Sequence, residues 1–257
     1  RQFYKIILMK IEEKLKAKYL YSSKLNLFKI IYFFYQFMKF KFKPRIINSN
    51  WGLDVIVCDI FKNKDNGIYV DVGCHHPFIN NNTYLLHKKG WKGLNVDLDF
   101  SSINMFNYFR PNDDNKQAAV SNKKDIVKFY FFHNRAPKNT ISKKSGKGAK
   151  LIKNIETTNL NNILKDSKLN IQQIDFLSID VEGNEINVLK GLDFKRYKPK
   201  VVALEFLDPK KKEFYFQNIK NIERSETYKF MKKHKYKLVN WIHDDLLFIS
   251  TSFSNKK

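Results

Sequence analysis

Two acids close together, Asp180 and Glu182, are the residues best placed to do chemistry. They end the run Ile174-Asp175-Phe176-Leu177-Ser178-Ile179-Asp180-Val181-Glu182-Gly183. An apolar stretch that stops at acids and a glycine reads as a buried strand delivering carboxylates at its carboxyl edge, with Gly183 permitting a sharp exit. Two carboxylates there can hold an ammonium group, activate a hydroxyl or bind a metal. No metal site is assigned. Glu185 falls in the first turn of the helix expected next, where an acid favours the helix dipole, so its role reads as structural.

A second constellation lies upstream. Tyr69-Val70-Asp71-Val72-Gly73 breaks into Cys74-His75-His76-Pro77. A glycine just beyond a strand lets a ligand approach the backbone, at the crevice where doubly wound sheets bind nucleotides. The fingerprint G-x-G-x-x-G is absent, with His75 and His76 standing where its loop would be, so a nicotinamide enzyme is disfavoured. A nucleoside cofactor without a pyrophosphate is not. Asp97 ends the next apolar run, 24 residues after Gly73, the position at which an acid accepts hydrogen bonds from ribose hydroxyls. His75 and His76 are candidates for contact with substrate. Trp91 and Trp241 read as packing residues.

The elements that must position these groups alternate as strand and helix from Ile68 onward, the pattern of a mostly parallel sheet with crossover helices. Strands are expected at 68–72, 94–97, 118–120, 126–132, 174–179 and 201–206, and helices at 83–89, 101–109, 185–189 and 223–234. Segments 236–241 and 246–249 should close the chain as an antiparallel pair. Residues 133–150 lack periodicity and read as a long loop.

The formal charge of +23 invites a nucleic-acid reading. Against it, the basic residues are nearly all Lys in a chain rich in Asn, Ile and Phe, a bias that an AT-rich genome produces, whereas base-edge readers lean on Arg. Cys58 and Cys74 give neither a disulfide framework nor a zinc cluster, which points to a reducing, cytoplasmic setting. The first fifty residues hold twelve Lys or Arg against Glu12 and Glu13. Within them, residues 27–43 pack aromatic and aliphatic side chains around Lys29, Gln36, Lys39 and Lys43, which should line one polar stripe of a helix ended by Pro44. The run is too short and too charged to span a bilayer. Peripheral membrane contact and self-association both fit it.

These motifs together resemble the FkbM family of O-methyltransferases. Present in family order are Val70-Asp71-Val72-Gly73, Asn82-Thr83, Gly90-Trp91-Lys92-Gly93 and Ile179-Asp180-Val181-Glu182-Gly183, then Leu189-Lys190-Gly191 and Ala203-Leu204-Glu205. Asn81 stands where the family often has Ser. The resemblance implies an α/β fold of the Rossmann-like class I methyltransferase type, a mostly parallel seven-stranded sheet with an antiparallel last strand, here preceded by a helical extension. Residues 1–50 would be the extension and 51–257 the catalytic domain. It also implies S-adenosyl-L-methionine as methyl donor and an oxygen acceptor, here a sugar or other small hydroxyl compound, with nucleic acid the lesser alternative and a non-catalytic scaffold another. By the same resemblance Asp71, Gly73 and Cys74 would lie against the cofactor, Asp97 would bind its ribose, and Asp180 and Glu182 would face the transfer site.

Overall fold

The computed structural model describes residues 26–42, 47–133, 139–206 and 218–254, and the chain divides into two compact units, Arg1–Ile46 and Ile47–Lys257. The expected terminator Pro44 lies outside the described residues.

In the first unit, α1 spans Asn26–Phe42. Its faces differ from the expected ones. Gln36 is only 2% exposed and is buried together with Tyr32 and Phe33, whereas Ile30, Ile31, Phe37 and Phe42 are exposed and Phe34 is 62% exposed. The helical period explains the grouping. Residues 30, 34 and 37 fall on one stripe and are exposed, while Gln36 keeps the stripe of Lys29 and Lys39 that its spacing implies, and that stripe, with Tyr32 and Phe33 beside it, is the more covered one. No helix among the described residues is long and apolar enough to cross a membrane.

The second unit is built on a seven-stranded sheet. Its strands are β1 (Ile68–Val72), β2 (Lys92–Asp97), β3 (Asp114–Gln117), β7 (Phe176–Ile179), β8 (Val201–Glu205), β9 (Tyr236–Ile242) and β10 (Asp245–Ser250). The order is β3-β2-β1-β7-β8-β10-β9. All neighbours run parallel except β10, which is antiparallel to both β8 and β9. Crossovers are made by α3 (Tyr84–Lys88), α4 (Phe100–Phe109), α5 (Leu160–Lys165), α6 (Glu185–Lys190) and α7 (Phe194–Tyr197). The architecture is thus Rossmann-like, with the antiparallel last strand that the sequence led us to expect. Both faces of the central strands are covered, which is why Val70, Val72, Leu94, Val96, Leu177 and Ile179 read as nearly continuous apolar runs.

Several features escaped the sequence, β3, α5 and α7 among them. A helix, α2 (Leu53–Ile60), packs Leu53, Val57 and the following Phe61 against Tyr69, Leu86 and Trp91. The helix expected over 223–234 is two helices, α8 (Ile219–Arg224) and α9 (Glu226–Lys233), because Ser225 adopts an extended backbone and caps Tyr228 N. Finally, β4 (Ala119–Ser121), β5 (Asp125–Phe131) and β6 (Leu151–Asn159) form a separate three-stranded sheet. Much of the expected loop over 133–150 is therefore the connection of a hairpin, bridged at Tyr130 and Thr140. A short α10 (Thr251–Ser254) follows the last strand.

Candidate active site

Strand β1 is central, with β2 on one side and β7 on the other, and all three end at the same edge. Gly73 leaves β1 at φ +82, and a Cβ built on it would lie 1.7 Å from the Asp180 carbonyl oxygen. Only glycine fits: the left-handed backbone is strained for other residues, and the backbone leaving β7 fills the space a side chain would need. The glycine therefore serves first to bring the two strand ends together. Asp97 and Asp180 end the two strands flanking Gly73, about 10 Å apart at two strand spacings.

Asp97 is half-buried at the mouth of this crevice. Its Oδ2 accepts from His75 N at 2.8 Å and its Oδ1 from Asp99 N at 2.7 Å. Burial pushes the carboxyl up to about 6, against the lowering effect of those two donors. Each oxygen retains accepting capacity, which is what a ribose diol requires.

Three other residues named at the site, Asp71, Cys74 and His76, turn their side chains inward. Asp71 is 4% exposed and accepts from Asn81 Nδ2 at 3.0 Å and Thr83 Oγ1 at 2.9 Å. Cys74 packs against Ile103 and Phe106, and burial pushes its thiol well up, so it is a neutral core group. His76 is 4% exposed, and its Nδ1 accepts from Phe78 N and Ile79 N at 3.3 and 3.2 Å. It shapes the loop from within. His75 alone of the pair remains half-exposed, at φ +49.

The anchor of this loop is Arg110, a residue that no local pattern singled out. It is 1% exposed and donates to Thr83 Oγ1 at 3.0 Å, to Asn81 Oδ1 at 2.9 Å and to the Pro77 carbonyl. Its guanidinium also lies 4.9 Å from the Phe106 ring centroid. Asp71 is thereby tied through Asn81 and Thr83 to a buried cation, which offsets the effect of burial on its carboxyl. Asn81, at the family's frequent Ser position, supplies both an acceptor for Arg110 and a donor for Asp71.

On the other side of Gly73, the chain after β7 turns sharply. Glu182 at φ +57 and Gly183 at φ +95 are both left-handed. Glu185 Oε1 accepts from Val181 N at 3.1 Å and Gly183 N at 2.9 Å, which gives Glu185 the structural role its position implied. Thr140 Oγ1 donates to Glu182 O at 2.9 Å. This clamp holds the strained Glu182 backbone in place.

The turn gathers three carboxylates. One oxygen each from Asp180, Glu182 and Glu205 lies within 4.8 Å of the others. Glu205 had been noted only as part of a motif. Its placement follows from parallel register: Ile179 pairs with Leu204, so the residues just beyond, Asp180 and Glu205, emerge side by side. Glu205 Oε2 is buried with no hydrogen-bond partner among the described residues, and burial followed by the charges of Asp180 and Glu182 raises its carboxyl well above the ordinary value. Asp180 is raised likewise, by desolvation and then by Glu182, Asp245, Glu185 and Asp244. Because Asp180 is an exposed residue, the surrounding like charges are the firmer cause. Asp245 is pushed up to about 7 by burial and by Asp244. Three hard oxygen donors of this kind could hold a divalent cation or an ammonium group, and without one at least one carboxyl must keep its proton.

A family model for the methyltransferase FkbM domain matches residues 71–238, which takes in both strand ends and the carboxylate cluster. The chain belongs to the FkbM methyltransferase family. No curated protein matches it. Among solved structures it is similar to a TehB-like SAM-dependent methyltransferase from Corynebacterium glutamicum, at 10% identity and a TM-score of 0.41, with 85% of this chain and 96% of that chain covered. As an FkbM methyltransferase it is an S-adenosylmethionine-dependent enzyme, and the matched segment begins at Asp71, so α1 lies outside the FkbM domain.

Proposed function

We propose that this enzyme binds S-adenosylmethionine between Gly73 and Asp97 and methylates a hydroxyl of a saccharide or related small metabolite. The crevice fits the donor: Asp97 offers two accepting oxygens for the ribose, and the inward network of Asp71, Asn81, Thr83 and Arg110 holds the adjoining loop. When bound, the donor supplies an electrophilic methyl carbon.

The observation that carries the acceptor assignment is the cluster of Asp180, Glu182 and Glu205 beside that crevice. A sugar hydroxyl is too weakly acidic to react unaided, so a base must take its proton as the new carbon–oxygen bond forms. A carboxylate with a raised affinity for protons is a stronger base than an ordinary one; Asp180 is raised in this way, and Asp180 and its neighbour Glu182 are the groups we assign to that work. Placing the acceptor oxygen in line with the methyl group is the rest of the task. A polyanionic acceptor such as RNA would bring phosphates against this acidic cluster.

The test is calorimetry with S-adenosylmethionine and its demethylated product, followed by methyl transfer assays on oligosaccharide and RNA acceptors. Cofactor binding with transfer to saccharides alone supports the reading. Transfer to RNA would replace the acceptor class, and failure to bind either cofactor form would leave a scaffold.

For the N-terminal unit we propose an interface role, at a membrane surface or against a second copy, on the strength of the exposed stripe of Ile30, Phe34 and Phe37 on α1.

A further inference from the structure

We propose that the concavity beside the β5–β6 hairpin binds a phosphate or diphosphate group of the acceptor, which makes the acceptor a phosphorylated saccharide; this rests on the proposed saccharide hydroxyl reading. The concavity has a volume of about 820 Å³, and Lys128, Tyr130, Lys143, Lys144, Lys147 and Ile152 line it.

Its four lysines differ from the two at the far end of the same hairpin. At the opposite end, Lys123 pairs with Asp125 at 2.9 Å and Lys124 with Glu156 at 2.7 Å. Lys128, Lys143, Lys144 and Lys147 form no ion pair with any described acid. Between Asp125 and Glu156 the chain has no acid, so the lysines around the concavity meet no local counter-charge. Four ammonium groups around one hollow repel one another until an anion enters, and such a hollow matches the charge density of a phosphate.

The same segment packs on the turn that carries Glu182. Tyr130 and Thr140 exchange backbone hydrogen bonds at 2.8 and 3.2 Å, and Thr140 Oγ1 reaches Glu182 O. Ser142 and Ser145 crowd Gly183: a Cβ there would lie 2.5 Å from Ser145 Oγ and 3.1 Å from Ser142 Oγ. One stretch of chain thus carries lysines of the concavity and braces the backbone of the turn that holds Glu182. That polarity orients a ligand. An anionic group is repelled by Asp180, Glu182 and Glu205 and attracted to the lysines, while a neutral hydroxyl is tolerated among the acids. A molecule with a phosphate at one end and a free hydroxyl at the other satisfies both sides. A nucleic-acid strand, with a phosphate at every nucleotide, does not.

The test uses the full chain with inorganic pyrophosphate as probe, measured by calorimetry at moderate salt. We expect saturable binding that weakens at least about tenfold in Lys143→Gln/Lys144→Gln/Lys147→Gln. A control that removes the same charge elsewhere, Lys195→Gln/Lys232→Gln/Lys233→Gln, should bind as the parent does. Affinity for S-adenosylmethionine should be unchanged in both variants, which shows that they fold. Equal losses in the two variants would mean attraction by bulk charge, and no loss in the first would place the anion elsewhere; either overturns the proposal. Competition by a nucleoside diphosphate sugar and by a short-chain lipid diphosphate sugar then separates the two sources of the group. An RNA oligomer that competes better than both, through the same lysines, would overturn the proposal in favour of nucleic acid. If pyrophosphate binds as expected and no saccharide is methylated, the anion site stands and the saccharide reading fails.

Discussion

At the residue scale, Asp97 makes the sharpest prediction because two effects of pH oppose each other there. Its folded value of about 6 lies above the ordinary carboxylate range near 4. The folded chain therefore binds more protons than the unfolded one between those values, so this group adds stability as pH falls from 6 toward 4 and withdraws it as pH rises. Cofactor binding runs the other way, since only the ionised carboxylate accepts freely from both ribose hydroxyls. Affinity measured by calorimetry should fall as pH drops below about 6, and Asp97→Ala should weaken it by about 1–3 kcal/mol while abolishing that pH dependence. Unchanged affinity in the variant would place the ribose elsewhere. The carboxylate cluster predicts a different signature. Asp180→Asn, Glu182→Gln and Glu205→Gln should each lower kcat by at least about tenfold with cofactor affinity nearly intact, because their roles lie with the acceptor and its proton. Activity titrated with a chelator and then with magnesium or manganese decides whether the three oxygens work on a cation. Loss on chelation and recovery on addition assigns the cluster to metal binding, and full activity in excess chelator excludes it.

At the scale of elements, the loop between β1 and α3 depends on partners from distant chain positions. Removing Arg110 leaves Asp71 buried without its cation, so Arg110→Gln should cost about 3–5 kcal/mol in a denaturant titration, more than a surface change would. Arg110→Lys should recover little, since one ammonium cannot reach Thr83, Asn81 and Pro77 together as the guanidinium fork does. A second buried acid sits at the other end of β7. Lys200 and Lys64 each donate to Asp175 Oδ1 at 2.6 Å, and although burial alone would raise its carboxyl, these partners hold it below the usual value. This group contributes stability above the unfolded value near 4 and loses it as pH falls through the lower folded value. Asp175→Asn should lower stability by about 2–3 kcal/mol at pH 7 and by less near pH 3, while leaving cofactor affinity unchanged. Equal destabilisation at both pH values would show that packing rather than charge is at stake.

At the scale of the whole molecule, the division at Ile46 and Ile47 allows the two units to be separated. A chain starting at Ile47 should fold and bind S-adenosylmethionine as the full chain does, since every site residue lies beyond that point. If α1 works at an anionic membrane surface, the full chain should bind anionic vesicles, the shortened one should not, and the binding should weaken with salt as the lysine contribution is screened. Sedimentation of both chains distinguishes this from self-association, which would fall with truncation and ignore lipid. Aggregation or unfolding of the shortened chain would instead assign α1 to the stability of the catalytic unit.

What the sequence by itself determined was the periodic part of this protein. Apolar runs at 68–72, 94–97 and 174–179 are strands because sheet residues buried on both faces must be apolar, and the acids and glycine that end them mark the edge where the site forms. Strand ends and spacing picked out Asp97, Asp180 and Glu182, and motif order supplied the family. Local pattern says nothing, however, of which way a side chain faces once the chain has folded. Asp71, Cys74 and His76 border the same glycine in sequence, yet the packing of α4 and the charge of Arg110 draw them inward. Arg110 itself is one charge among 48 basic residues, and only its burial distinguishes it. Glu205 became part of the site when β8 came into register beside β7. The 139–150 segment gained its place the same way, since pairing of β5 with β6 carries Thr140, Ser142 and Ser145 against Glu182 and Gly183. Such contacts join residues far apart in the chain, and it takes the closed tertiary structure to bring them within reach.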